Sequence, residues 1–278
     1  MAAENLMPAA VRVGVPAGVR VGVGGWTFEP WRNNFYPAGL SHDKELAYAS
    51  RQLSVIEVNG TYYSLQKPAT FAKWREQTPD DFVFSLKASR HATNRRVLAE
   101  AGESIERFVN SGISELGPKL GPIVWQFAPT KRFDAVDFER FLDLLPRAVQ
   151  GVPLRHAVDV RHDSFKCADY LALARRRRVA TVFTESDDYP ALADVTGDFI
   201  YTRIMRTDGQ LPEGCASQVL DQIAECALLW QQGQEPHNLP RVEPPLPGAA
   251  PRDVFVFFIS GAKEKAPAAA MALRRRVG

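Results

Sequence analysis

Eight short runs rich in β-branched and aromatic residues recur along this chain, and stretches with helical spacing separate them. The runs are Val19–Trp26, Val55–Tyr62, Phe82–Ser89, Ile123–Ala128, Ala157–Arg161, Ala180–Glu185, Phe199–Arg203 and Val254–Ile259. Between them lie segments such as HDKELAYASRQL, ATFAKWREQ, DAVDFERFLDLLPRAV and CADYLALARRRR, whose apolar residues recur every three to four positions. A strand that must be followed by a helix before the next strand pairs in parallel. Eight such units in the ~260 residues from Val19 onward fit an α/β fold of the (β/α)₈ TIM-barrel kind, a single domain over 19–278. A doubly wound open sheet is the alternative. Its dinucleotide fingerprint is absent, because Gly22-Val23-Gly24-Gly25 leads into Trp26 and not into a phosphate-cradling helix.

Two segments depart from the even spacing. Residues 1–18 read as a loosely packed tail ahead of the first strand, without the basic start and apolar stretch of a secretory signal. Residues 231–252 are proline-rich and cannot form a regular helix. They connect the helical pattern Ala216–Trp230 to the last strand. A helix-to-strand connection lies at the end of a barrel away from its active site, so no catalytic role is expected of it.

Within a strand, side chains alternate between the two faces. Glu57 and Asn59 share a face, as do Ser85 and Lys87, Asp159 and Arg161, Thr181 and Glu185, and Tyr201 and Arg203, while Gln126 stands alone in the fourth run. The opposite faces carry Ile56, Val58, Phe84, Leu86, Val158, Val160, Val182, Ile200 and Ile204. The face that packs on helices must be apolar, so the polar set is expected inside the barrel. Near the carboxyl ends of the strands, where barrel active sites form, this collects Glu57, Asp159 and Glu185 with Lys87, Arg161 and Arg203.

Such a set suits acid–base work on a small anion at the barrel mouth. Glu57 or Glu185 is the candidate base, with Asp159 held against Arg161. Lys87 is a candidate electrophilic donor or, if desolvated, an imine-forming amine. Arg161 and Arg203 suit a two-pronged grip on carboxylate or phosphate. The competing structural reading is an ion-pair network satisfied within itself. A divalent metal would have to use Glu57, Asp159, His162 and Glu185, and three cations in the same space argue against it, so no metal or cofactor is expected. The aromatics Trp26, Phe28, Trp31, Phe35 and Tyr36 form either a stacking wall for a flat ligand or a plug anchoring the first loop.

A net charge of +2 is too small to demand a polyanionic partner, and the runs Arg175–Arg178 and Arg274–Arg276 sit where helices are expected to end. Scattered Cys167, Cys215 and Cys226 lack metal spacing and read as reduced thiols of a cytoplasmic protein. No apolar run is long enough to span a membrane.

The blocks GGWTFEPWRNNFYPAGL, IEVNGTYYSLQKPATFAKWREQTPDDFVFSLKA, LGPKLGPIVWQFAP, VDVRHDSF and FIYTRIMR resemble the motifs of the domain of unknown function 72 family, also called YecE-like proteins. The resemblance runs over roughly residues 20–275. It implies a TIM barrel and brings no reaction. It also implies that Trp26, Trp31, Tyr36, Glu57, Asn59, Tyr62, Lys87, Gln126, Arg161 and Arg203 stand at the family's characteristic positions.

Several positions depart from that pattern. Asn94 follows Thr93 where the family usually has a histidine, Asp159 replaces a glutamate, and Phe165 a tryptophan. Met205-Arg206 replaces His-Gly, Ile259-Ser260 replaces two asparagines, and Ala269 another. The reading carried forward is a barrel enzyme acting on a small phosphate- or carboxylate-bearing molecule. The alternatives are a nucleic-acid or phosphodiester-binding barrel, and a diverged binding protein without catalysis.

Overall fold

The structure is a computed structural model that describes residues 18–248 and 250–278, so the expectation of a loose tail falls outside it except at Gly18. Eight parallel strands close into a barrel: β1 (Val19–Gly24), β2 (Val55–Val58), β3 (Val83–Lys87), β4 (Leu120–Gln126), β5 (His156–Asp159), β6 (Ala180–Glu185), β7 (Phe199–Ile204) and β8 (Asp253–Phe258). Closure comes from β1 pairing with both β2 and β8. Gly22 permits it: a Cβ there would lie 1.7 Å from the Val55 carbonyl oxygen on β2.

Around the barrel run α1 (Glu45–Gln52), α2 (Pro68–Gln77), α3 (Gly102–Val109), α4 (Ala135–Asp143), α5 (Ala168–Arg177), α6 (Ser217–Gln231) and α7 (Ala266–Val277). Their local signals are conventional. Asp134 caps α4 by accepting the Asp137 N–H at 2.9 Å. Gly233, at φ 84°, ends α6 by letting Gln234 and Gly233 donate back to Leu229 and Trp230. The apolar faces of strands and helices meet in an outer core, where Trp125 packs edge-on to Phe108 and Phe141. A second, inner core fills the barrel itself, with Tyr201 stacked on Phe257 at 4.8 Å above Val55, Val83 and Val124.

One crossover lacks a helix. Between β6 and β7 the chain runs as coil, and the proline-rich segment lies against it and covers the flank. Ala193 donates to the Pro240 carbonyl at 2.9 Å, and the Asp194 carboxylate accepts the Val242 and Glu243 N–H groups at 3.0 Å each. Arg175, in the last turn of α5, pairs with Glu243. These partners sit toward the amino ends of the strands, so the segment is pinned on the side away from the mouth.

Candidate functional site

The carboxyl ends of the strands gather a buried polar layer on top of the apolar plug. Arg203 stands at its centre, 1 % exposed. Its guanidinium grips Glu57 with two hydrogen bonds, Nε to Oε2 at 2.9 Å and Nη2 to Oε1 at 2.6 Å. Its Nη1 donates to Asp159 Oδ2 at 2.6 Å and to Gln126 Oε1 at 2.7 Å. Tyr201 Oη donates to Glu57 Oε2 at 2.6 Å and shares a hydrogen bond with Ser85 Oγ at 2.9 Å. Arg161 closes the layer with Nη2 to Gln126 Oε1 at 2.9 Å, and Nε and Nη2 to Asp159 Oδ2 at 3.1 and 3.0 Å.

The electrostatics follow from this geometry. Burial pushes the Glu57 carboxyl up, but Arg203, Lys87 and the hydrogen bonds from Arg203 and Tyr201 outweigh it and hold the group below its ordinary value. Burial likewise weakens the Arg203 charge, yet Glu57 and Asp159 more than restore it. Glu57 is therefore not the base expected from sequence: both its oxygens are already committed to donors and its protonated form is disfavoured. Tyr201 and Arg203, expected to touch substrate, are likewise corrected. Both are shut off beneath the mouth, and their polar atoms serve Glu57 and Asp159.

Lys87, at the end of β3, differs from every other charged group of the layer. Its Nζ makes no ion pair or hydrogen bond with a described residue and lies 4.3 Å from the centre of the Tyr62 ring. The side chain is buried, 9 % exposed, but its Nζ keeps some contact with water. Burial, then the Arg203 charge, depress its pKa to about 8, with Glu57 acting in the opposite sense and Arg161 adding to the depression. Tyr62 is fixed in turn by Asn94, whose Nδ2 donates to the phenol oxygen at 3.2 Å. Asn59 is half-buried beside Gly24 at the same rim. Tyr189 was not anticipated. Its ring lies 4.2 Å from the Arg161 guanidinium, and nothing in the irregular segment after β6 marks it in advance.

Other expectations are overturned. In β6 the faces are reversed: Ala180 and Val182 join the inner core, Thr184 Oγ1 faces Asp159 at 3.5 Å, and Thr181 instead bonds Tyr170 and Thr196 in the outer layer. Phe183 decides the matter, because its ring needs the space beside Trp230 of α6. Glu185 thereby turns away from the layer and pairs with Arg206 at 3.2 Å. Glu185 is thus set apart from Glu57 and Asp159, His162 Nδ1 is used by Ser164, and the described residues contain no cluster of three or more His, Cys, Asp or Glu side chains placed to hold a metal.

Among the aromatics, Trp31 and Tyr36 are buried, with Trp31 packed against Phe35 and Tyr36 against Tyr48. Trp31 Nε1 donates to the Lys263 carbonyl at 2.8 Å, tying the first loop to the last. Trp31→Phe is expected to cost about 1–2 kcal/mol through that lost bond and the smaller ring, read as a lower urea midpoint with an unchanged slope. Trp26 sits edge-on to Trp74 at 5.1 Å and lines a separate cavity of about 380 Å³ with Leu46, Lys73 and His42, outside the barrel between α1 and α2. The arginine runs end α5 and α7 and are largely paired with acids, as in Arg176–Glu139 at 3.6 Å and Arg276–Asp221 at 2.7 Å. No helix among the described residues is long and apolar enough to cross a membrane.

Comparison with known proteins places these features in a wider group. Residues 20–278 match the family model described as "Protein of unknown function DUF72". The UPF0759 protein YecE of Escherichia coli (strain K12) is 29 % identical over 150 residues, 53 % of this chain and 50 % of that protein. YunF of Bacillus subtilis (strain 168), another UPF0759 protein, is 25 % identical over 116 residues, 40 % of each chain. The matched region thus spans about half the length, or less, of these curated relatives. A crystal structure of a DUF72 family protein from Thermotoga maritima MSB8 superimposes with a TM-score of 0.71 at 21 % identity, covering 93 % of this chain and 98 % of that one. One from Enterococcus faecalis V583 does so with a TM-score of 0.65 at 16 % identity, covering 93 % and 97 %. At those identities the likeness speaks for the fold.

Proposed function

This chain belongs to the DUF72 family of proteins of unknown function, and from there we propose that it binds a small carboxylate- or phosphate-bearing molecule at the barrel mouth and performs acid–base chemistry on it. The observation that carries this reading is the charge count of the polar layer. Arg203 is consumed by Glu57 and Asp159, and Arg161 shares Asp159, so Lys87 is a cation without a carboxylate of its own. A surplus positive charge held largely out of water costs free energy unless a ligand uses it.

The division of labour differs from a base-and-clamp arrangement of equals. Glu57, Asp159 and Gln126 hold Arg203 and Arg161, Tyr201 steadies Glu57, and the ligand meets Lys87, Arg161 and the ring of Tyr62. Lys87, whose pKa burial lowers to about 8, is the group suited to give and take a proton there. The test is thermal stabilisation by a panel of phosphate, oxalate, pyruvate and a sugar phosphate. A ligand at a hundred times its Kd adds about 2.7 kcal/mol, a melting shift of several degrees. Arg161→Met leaves Asp159 paired with Arg203, and is expected to cost about 1 kcal/mol of stability while abolishing the shift. A panel that leaves the wild type unmoved throughout would overturn the proposal.

A further inference from the structure

We infer that Lys87 is a nucleophile that forms an imine with the carbonyl carbon of a small aldehyde or ketone bearing an adjacent anionic group, such as a 2-oxo acid. This rests on the anion reading above and narrows its substrate class. Three features of the site carry it. Among the described residues the Lys87 amine has no hydrogen-bond acceptor or ion pair, whereas Glu57, Asp159 and Arg203 are tied to one another in the same layer. A lysine placed only to steady the barrel would be expected to take a carboxylate or carbonyl, as Lys119 does with the Arg75 and Thr78 carbonyls at 2.7 Å each. Burial and the nearby guanidiniums of Arg203 and Arg161 also disfavour the charged state of Lys87 and outweigh Glu57 and Asp159, which favour it.

The third feature is the approach. Tyr62 covers one side of Nζ with its ring and accepts a hydrogen bond from Asn94, while the amine keeps contact with solvent, the side from which we infer that a carbonyl comes in. Arg161 stands on the neighbouring part of the rim, where it can hold a carboxylate next to that carbonyl. The step balances without any further reagent. The Nζ lone pair attacks the carbonyl carbon, a C–N bond forms, and the C=O π pair moves to oxygen, which takes the proton released from nitrogen. The resulting carbinolamine oxygen, protonated a second time, then leaves as water while C=N forms. Ammonium plus carbonyl thus becomes iminium plus water, with nothing oxidised or reduced.

Reductive trapping tests this on the intact chain. Glyoxylate with cyanoborohydride at pH 7.5 is expected to leave a carboxymethyl group on Lys87, located by peptide mass spectrometry. Occupancy at Lys87 should exceed that at each other lysine by about tenfold or more, because an ordinary lysine with a pKa near 10.4 holds far less free amine at that pH. Lys87→Arg, which carries no nucleophilic amine at that position, should lose the label. If oxalate stabilises the wild type but Lys87 is labelled no more than surface lysines, the imine falls and the anion site stands. If Lys87 is labelled selectively with no oxalate shift, the nucleophile stands without the anion site. If neither occurs, both fall.

Discussion

Lys87→Met is expected to raise the melting temperature by about 5 °C at pH 7 and at the same time to abolish the anion-induced shift. The reasoning is a linkage argument. The Lys87 amine has a pKa of about 8 in the folded chain against 10.5 when free. A shift of that size at about 1.4 kcal/mol per unit means that the folded state carries roughly 3 kcal/mol of penalty wherever both states are protonated. Methionine fills similar space without a charge and gives up the cation–π contact with Tyr62, worth about 1 kcal/mol, so a net gain of roughly 2 kcal/mol remains.

The pH dependence has a defined sign. Between about pH 8 and 10.5 the unfolded chain holds the Lys87 proton and the folded chain does not. Wild-type stability therefore gains from this group as pH rises through that window, and the advantage of Lys87→Met shrinks toward zero. Urea unfolding of both proteins at pH 7 and near pH 10 measures this directly. A variant less stable than wild type at pH 7 would mean that Lys87 is a structural member of the network and not a poised one.

Arg203→Met is expected to have the opposite and larger effect, a loss of about 3–5 kcal/mol at pH 7, because it strands the Glu57 carboxylate away from water and leaves Asp159 to Arg161 alone. Glu57 is wholly buried and Asp159 as well, and neither can recruit solvent in place of the guanidinium. In the wild type, Glu57 titrates below its ordinary value, so its pairing contributes above that value and is lost as pH falls through the folded one. In the variant, burial without Arg203 drives the carboxyl up, and its neutral form becomes tolerable in acid. The deficit should therefore be greatest near pH 8 and diminish toward pH 4, seen as converging urea midpoints. Adding Glu57→Gln to Arg203→Met should recover part of the loss, which a sum of independent effects would not give. A pH-independent deficit under 1 kcal/mol would show that this layer is not buried as a unit.

The faces of most strands were legible because the information is local. In β2, β3, β5 and β7 the polar residues Glu57, Lys87, Asp159 and Arg203 alternate with Ile, Val, Phe or Leu that need the helical layer, and the structure has them inside. In β6 the same rule fails. Ala180, Val182 and Thr184 are small enough to fill the narrow interior, whereas Phe183 requires the room beside α6. Size, and not polarity, decides that strand. The volume of Phe183 was visible in the sequence, and giving it weight over the charge of Glu185 would have reversed the assignment.

Strand number, strand order and the rim at which charges collect follow from the amino-acid sequence alone, since periodicity and chain connectivity are properties of neighbouring residues. Which cation answers which carboxylate does not. Arg203 is more than forty positions from Asp159 and far more from Glu57, and only closure of the barrel makes one guanidinium reach both. With the barrel closed, Trp31 and Tyr36 are buried in the outer core, Trp26 lines a different cavity and Lys87 has no ion pair among the described residues. Ion pairing is set by distances of a few ångströms across the barrel, and these exist only once its strands have met.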